Sequence, residues 1–502
     1  MADIGISPAN TEVLVNGLQF GLQNQASMIT SRREVQVSAQ PGFYDPSSSR
    51  LIRIHIADGS SWWQMGTTKL VFELHNTSTT HALELIVPPL GLFDQFRLLS
   101  QGSVIETIES YSRTVSTYDS LLPLEARVTN SLEAIKKKDP FGKQVENADG
   151  RAGLEEGTVY AGGTNTVPKK TAFEVERYVT IPPSGKKTIS TSILSGLLNS
   201  QYMWPLMHCN MTLEFQLVSN PSLVLASSLP ALANGMAAMP RSQQFQIHLP
   251  RLEMSFNTLS QPAQAEFDSL ISGEGLILPF TYHTTLQQSI FNKDSRVQFF
   301  RSLANVKDIL CTLYRPYCNS AASTDAGDSS LTALGRALLK ECNYMWGASD
   351  QILQDTTSTK RGEPQANGVP SPTPAGQEVH DISVSATTFQ IVIGAKQIPE
   401  VPIQGGQVIY HNKMALGLES MREGFSNMHS FDISKKVFSV NLEKYTGMQG
   451  IDGSGMTTRA GESIMAIFAN AGTDTLYPEK IYMHLRSSAK LELRTGSIRL
   501  MM

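Results

Sequence analysis

The chain has 502 residues, a formal net charge of −4 and a pI near 6.2, with 41% hydrophobic and 17% charged residues. A chain of this length buries a large core without disulfides or structural metals, and its charge argues against a surface that binds nucleic acid all over. The cysteines are scattered and none forms a CxxC pair, which predicts buried reduced thiols instead of a disulfide framework or a zinc site. They are Cys209, Cys311, Cys318 and Cys342.

Residues 1–34 have the pattern of an N-terminal arm. Leu18, Phe20 and Leu22 alternate with polar or small residues, and the segment shows no basic region of the kind that opens a signal peptide. Two interpretations stay open: an arm that adds a strand to a neighbouring molecule, or a disordered terminus.

Residues 35–220 consist mostly of short segments with the period of a β-strand. In the stretch from residue 49 to residue 76, Ile52, Ile54 and Ile56 alternate with charged residues, which places one row of side chains in a core and the other row outside. Ile105 and Ile108 start a helical spacing that Pro123 ends. This number of strands, with one helix and a polar loop at residues 136–170, predicts an eight-stranded sandwich.

The segment from residue 221 to residue 242 is free of charge up to Pro240 and is broken by three prolines, so we interpret it as a linker between domains and not as a membrane span. Strand patterns begin again at residue 243 and continue to residue 502. Two helical patches interrupt them, at residues 328–347 and 412–425. A polar, proline-rich loop lies at residues 347–380; a loop of this length is either functional or disordered.

The sequence contains no complete catalytic motif. Residues 184–188, SGKKT, lack the opening glycine of a phosphate-binding loop, and the glycine-rich residues 450–455 have neither nucleotide-binding nor nucleophile-elbow spacing. His75 and His81 flank a polar turn, where a wet strand end is favoured over a metal site. We therefore predict a protein without catalytic residues, cofactor or metal.

Two stretches resemble a known family at residue level. They are FDQFRLLSQGSVIETIESYSRTVSTYDSLL, from residue 93, and FSVNLEKYTGMQGIDGSGMTTRAGESIMAIFAN, from residue 438. Both are similar to double jelly-roll major capsid proteins, in particular to those of polinton-like viruses and virophages. The resemblance implies an all-β fold of two consecutive eight-stranded antiparallel jelly rolls (β-sandwich barrels), with a few helices inserted in loops.

The same resemblance implies that three chains form a pseudo-hexagonal homotrimer, which builds the icosahedral shell of a double-stranded DNA virus. Its expected partners are further copies, penton proteins and minor capsid proteins. A basic C-terminal strip is expected either to be a solvated strand face or to face packaged DNA; it consists of Arg486, Lys490, Arg494 and Arg499.

Two other functions stay open. A β-sandwich that binds a receptor or glycan, such as a spike or penton component, would expose a platform of aromatic rings, for which Trp62, Trp63 and Trp346 are the candidates. An enzyme on a jelly-roll scaffold would need a clustered metal triad or a carboxylate pair, and the sequence shows neither.

Overall fold

The structure is a computed structural model that describes most of the chain. The described residues are 28–85, 87–121, 180–200, 202–225, 241–314, 387–404, 407–415, 437–443, 455–458, 462–469 and 480–501. Strands dominate these ranges, and we number them in chain order. The helical patch predicted at residues 328–347, the two long polar loops and residues 1–27 lie outside the described residues.

The first sandwich contains thirteen of these strands, one helix and two short 3-10 turns. The strands are β1 (Ile29–Ser38), β2 (Phe43–Tyr44), β3 (Leu51–Ile56), β4 (Trp62–Asn76), β5 (Ala82–Glu84), β6 (Phe93–Ser100), β7 (Ser103–Ile108), β8 (Thr180–Ile181), β9 (Lys186–Ser192), β10 (Met203–Pro205), β11 (Met211–Leu217), β12 (Arg241–Ser242) and β13 (Phe245–Leu259). Helix α1 is Tyr111–Leu121, and the 3-10 turns are Pro89–Leu92 and Pro221–Leu223.

The sheets of the first sandwich have the jelly-roll order. One sheet runs β1-β13-β4, with β9 and β10 on the far side of β4, and the other runs β3-β11-β6-β7. Of its eight longer strands, the first, eighth, third and sixth therefore share one sheet, and the second, seventh, fourth and fifth share the other. A small additional sheet joins β5 to β8 and, in parallel, to β12.

The second sandwich repeats this order. Its strands are β14 (Leu276–Ser289), β15 (Ser295–Phe300), β16 (Val306–Tyr314), β17 (Thr388–Ile393), β18 (Lys396–Gln404), β19 (Val437–Asn441), β20 (Ser463–Ala469), β21 (Lys480–Arg494) and β22 (Ser497–Met501). Its sheets run β14-β21-β16-β19 and β15-β20-β17-β18, while β22 pairs with β21 as an addition. Helix α2 (Gln261–Ser272) precedes β14, and α3 (Gln407–Ala415) follows β18. The predicted pair of eight-stranded jelly rolls is confirmed, as open sandwiches and not as closed barrels.

The alternation that predicted the strands also predicts which side chains are buried. In β3, Ile52, Ile54 and Ile56 are fully buried, while Arg53 and His55 are exposed. Because successive residues of a strand point to opposite sides, this row of isoleucines packs into the first core. The charged outer row of β3 faces away from it, as predicted.

Each sandwich has an aromatic centre, and the first core continues into the second sandwich. Phe93, Phe96 and Phe215 pack at centroid distances of 5.2 Å in the first core. The hydrophobic cluster around them extends to Leu278 on β14 and Leu491 on β21. Continuous burial of apolar area across the boundary therefore holds the two sandwiches together.

Two predicted boundaries are wrong, and the reason is strand pairing. We expected residues 243–502 to form the second jelly roll, but β13 pairs with β1 and β4 and is the eighth strand of the first. The expected linker at residues 221–242 therefore connects two strands of the same sandwich. The expected arm, residues 1–34, overlaps β1, which begins at Ile29. We propose α2 as the point where the chain passes from one sandwich to the other.

Candidate assembly surfaces and the junction between the sandwiches

The predicted basic strip divides into one partly buried residue and three exposed ones. The side chain of Arg486 is 25% exposed, and its Nε is 2.9 and 2.7 Å from the two carboxylate oxygens of the buried Asp308. Its guanidinium also donates to the backbone carbonyl of Ala415 in α3. Burial alone would lower the pKa of Arg486, but the Asp308 carboxylate raises it, so the residue stays charged. Because Arg486 is paired with Asp308 and partly covered, it stands apart from the exposed members of the strip.

The other members of the strip form a small surface cluster that we call the basic patch: Lys490, Arg494 and Arg499. Lys490 and Arg494 lie on the outer side of β21 together with Glu492, and Arg499 on β22 lies opposite Glu492 in the strand register. Arg494 Nη2 is 2.7 Å from Glu492 Oε1. Since only one carboxylate offsets three cations among these residues, the patch has a net positive charge.

Helix α1 of the first sandwich covers the outer side of sheet β14-β21-β16 in the second. Thr114 Oγ1 lies 2.7 Å from Thr285 Oγ1 and 3.4 Å from His484 Nδ1. Thr117 Oγ1 lies 3.3 Å from His484 Nε2, so both nitrogens of this imidazole face threonine hydroxyls of α1. The ring of Tyr118 packs edge-on against His283 at 5.4 Å.

The two junction histidines are neutral. Burial, with a smaller effect from the nearby charge of Arg486, lowers the pKa of His283 to about 3. Burial, together with His283, likewise lowers the pKa of His484 to about 3. A neutral imidazole can accept a hydrogen bond at one nitrogen and donate from the other, which suits a helix face that carries threonine hydroxyls.

A buried arginine strengthens the same contact. The guanidinium of Arg113 lies 4.2 Å from the ring centre of Tyr314 and 5.9 Å from that of Tyr482. Both tyrosines belong to the second sandwich, so this cation–π contact ties α1 to strands β16 and β21. A cation–π contact from which water is excluded stabilises a protein by roughly 2 kcal/mol.

A buried carboxyl group joins the sandwiches at a second point. Glu106 on β7 accepts hydrogen bonds from Ser195 Oγ at 2.5 Å and from the backbone N–H of Gly196 at 3.0 Å. The backbone N–H groups of Leu197 and of His283 on β14 also donate to it. Burial raises the pKa of Glu106 to about 7, although these hydrogen bonds oppose the rise. The group therefore bridges β7 to β14 with all its oxygens engaged.

The other candidate residues lie in structural positions. Trp62 and Trp63 are buried; Trp62 Nε1 donates to Gln264 and Trp63 Nε1 to Thr68, so these two rings form no exposed platform. Trp346 lies outside the described residues. His75 and His81 are not brought together as metal ligands: His75 Nε2 is 3.0 Å from Glu73 Oε2, and His75 stacks on His248.

Three further observations complete the survey. Cys209 and Cys311 are buried free thiols, as predicted for them, and burial raises the pKa of Cys209 to about 11. Within the described ranges no group of His, Cys, Asp and Glu is arranged to hold a metal ion. In the same ranges, none of the helices has the length and apolar character needed to cross a membrane.

The junction residues were not found from the sequence. Glu106, Arg113, His283 and His484 come from distant parts of the chain and form no motif. One signal was available: Thr114 and Thr117 give α1 a polar stripe at helical spacing, which a helix packed only on its own core would not need.

Of the comparisons with known proteins, the search of solved structures identifies the fold. No protein-family model matches the chain, and the search of curated proteins gave no match. Among solved structures, the Faustovirus major capsid protein matches with a TM-score of 0.53 and 10% identity, covering 98% of this chain and 95% of that one. The Sputnik virophage structure matches at 0.51 and 8%, covering 100% and 93%. A chain of the PBCV-1 virus capsid matches at 0.50 and 11%, covering 96% and 99%.

The match extends over almost the whole length of each chain, so it includes both sandwiches and their order. At these identities the likeness shows the fold: the chain has the double jelly-roll architecture found in those viral capsids. The resemblance stated from the sequence is therefore confirmed at the level of the fold.

Proposed function

We propose that this protein is the major capsid protein of a double-stranded DNA virus. The observation that supports it best is the tandem of two sandwiches with the same strand order, matched along nearly the whole chain by structures from viral capsids. In this proposal the protein resides in the virion, and three copies form a pseudo-hexagonal capsomer of the icosahedral shell.

A structural role, not catalysis, fits the chemistry of the described residues. Three ionisable groups with strongly shifted pKa values, Glu106, His283 and His484, are buried and hydrogen-bonded or ring-packed between the sandwiches. A substrate has no access to them without separating the two halves of the protein. Their role is to hold the sandwiches in one fixed arrangement.

That fixed arrangement supports the trimer. If each chain contributes two similar sandwiches at a constant angle, three chains place six sandwiches around an axis, and contacts between unlike faces close the ring. A capsomer of this kind needs a rigid protomer, because a hinge between the sandwiches would allow open chains instead of closed trimers.

The experiment is a mass measurement of the purified protein by light scattering, followed by electron microscopy of the same sample. The proposal predicts a particle of three times 55.0 kDa with a hexagonal outline. A monomer that persists at micromolar concentration would overturn it.

The contact with packaged DNA is a further part of the proposal, now limited to the basic patch. Three phosphate contacts per chain would contribute a slope of roughly −3 to the logarithm of the association constant against the logarithm of salt concentration. Replacing all three cations by glutamine should remove that slope in an anisotropy assay with duplex DNA, whereas Lys396→Gln on β18 should not. An unchanged slope would exclude the patch as the DNA contact. Penton and minor capsid proteins are the remaining proposed partners.

A further inference from the structure

The repeated topology gives each of the eight longer strands of the first sandwich a counterpart in the second. Counting along each jelly roll, β1 corresponds to β14, β4 to β16, β7 to β18 and β13 to β21. Any surface that one sandwich uses for a contact therefore has an equivalent on the other, and the two can be compared directly.

Within the chain, the junction uses one surface from each sandwich. The first sandwich contributes its fifth strand, β7, and the helix that follows it, α1. The second contributes its first strand, β14, and the outer side of the sheet to which β14 belongs. Glu106 with His283 and Thr114 with His484 are contacts of this kind.

Among the described residues, no helix covers the counterpart of that sheet in the first sandwich. Its outer side carries a row of rings that crosses three strands: Phe43 on β2, His248 on β13 and His75 on β4. The centroids of Phe43 and His248 are 5.9 Å apart, and those of His248 and His75 are 4.0 Å apart. Phe43 is 49% exposed, and the adjacent Leu249 is 61% exposed. We call this row, together with Leu249, the open face.

Two histidines on equivalent strands show how the covered sheet and the open face differ. His484 on β21 and His248 on β13 both point outward from the eighth strand of their sandwiches. His484 is 1% exposed beneath α1, whereas His248 is only partly buried and is stacked between two other rings. The open face thus has the aromatic and apolar character of a surface that lacks its cover.

The counterpart of β7 and α1 in the second sandwich carries exposed apolar side chains in the part of the chain that the structure describes. On β18, Val401 is 73% exposed, and in the first turn of α3, which follows β18 as α1 follows β7, Tyr410 is 47% exposed. The contacts of β18 with its own sheet run through β17. We call Val401 and Tyr410 the open edge.

We propose that the open edge of one copy docks on the open face of a second copy and repeats between chains the contact that α1 and β7 make within the chain. This inference rests on the proposed trimer and identifies its interface. Each chain has one edge and one face, so the contact joins unlike surfaces head to tail, and three copies close a ring with no open surface left over. The exposed apolar residues at both sites are then buried, which gives their exposure in the single chain a physical reason.

The test uses charge substitutions on each surface and a matched control. The edge variant is Val401→Asp with Tyr410→Asp, and the face variant is Leu249→Asp. Leu249 has φ of 48°, a left-handed conformation that Asp adopts more readily than Leu, so this substitution should not disturb the fold. The control is Phe300→Asp on β15, an exposed apolar residue (71%) at the opposite edge of the sheet that contains β18, which belongs to neither surface.

Light scattering should give three times 55.0 kDa for the wild type and the control, and 55.0 kDa for the edge and face variants, with unchanged circular dichroism. A mixture of the two variants retains one intact edge and one intact face, so it should form a dimer of twice 55.0 kDa and nothing larger. A trimeric wild type whose trimer survives both substitutions, or a mixture that stays monomeric, would overturn this interface and leave the proposed function standing. A monomeric wild type would overturn the proposed function itself.

Discussion

Gly196 lies directly against the backbone carbonyl of Thr281, where the first sandwich meets β14 of the second. A Cβ at this position would overlap the carbonyl oxygen and carbon of Thr281, and neither is the end of a flexible side chain. Glycine is therefore required here by the close approach of two backbones, beside the Glu106 carboxyl group that binds the N–H of the same residue.

We predict that Gly196→Ala separates the sandwiches locally and destabilises the protein by at least about 1–3 kcal/mol, the range of overpacked sites. Urea unfolding followed by tryptophan fluorescence measures the effect. Gly59→Ala is the matched control, because a Cβ at Gly59 meets nothing within 4 Å. Equal midpoints for the two variants would show that the junction is not tightly packed.

The pair of Arg486 and Asp308 gives a second prediction. Arg486→Met leaves the buried Asp308 carboxylate without its partner, and breaking a buried pair in this way costs about 3–5 kcal/mol. Arg494→Met removes an arginine from a surface pair with Glu492, for which a change below about 1 kcal/mol is expected. Denaturant midpoints of the two variants should differ accordingly. If both variants lose little stability, the pair of Arg486 and Asp308 does not stabilise the fold, and Arg486 could instead belong to the basic strip.

The strands were predictable because their signal is local. The isoleucines of β3 show the period of two, and the predicted strand matches the observed one. The alternation is absent where a strand has no buried side. Strand β18 is an example: it is an edge strand with Pro399 and Pro402, its side chains are mostly exposed, and the sequence does not predict it. Helix α2 was missed as well, although Ser260 and Pro262 are residues that often begin a helix.

Strand pairing was not predictable because it depends on residues far apart in the chain. The pattern of β13 fits either sandwich, and only its hydrogen bonds to β4 assign it to the first. The exposure of charged side chains is equally hard to predict from the sequence. Arg53 on β3 and Arg486 on β21 both lie on the outer side of their strands, yet Arg53 is 61% exposed and Arg486 only 25%, because α3 and Asp308 pack against it. An alternating sequence defines an outer side, but it does not say whether another part of the protein covers that side.

The pKa of Glu106 gives a prediction about pH. The folded protein raises it from 4.5 to about 7, so the folded state favours the protonated form. The contribution of protonated Glu106 to the free energy of unfolding is fully present below pH 4.5. It is lost as the pH rises to about 7, by about 3 kcal/mol in total. Glu106→Gln, which cannot ionise, should lack this loss. Thermal unfolding between pH 4 and pH 8 should show the stability of wild type falling relative to that of the variant, and parallel curves would contradict the prediction.

For His484 we predict the opposite dependence of stability on pH. Its pKa is lowered from 6.5 to about 3 in the folded protein, so the unfolded chain takes up a proton first as the pH falls. Stability from this group is fully present above pH 6.5 and is lost at about 1.4 kcal/mol per pH unit on the way down to about pH 3. His484→Gln keeps a group that can donate to and accept from Thr114 and Thr285 but cannot become charged. Between pH 6.5 and pH 5 the wild type should therefore lose about 2 kcal/mol more than this variant. His55→Gln, at an exposed position on β3, should follow the wild type, and a similar acid loss in all three proteins would mean that His484 is not buried under α1.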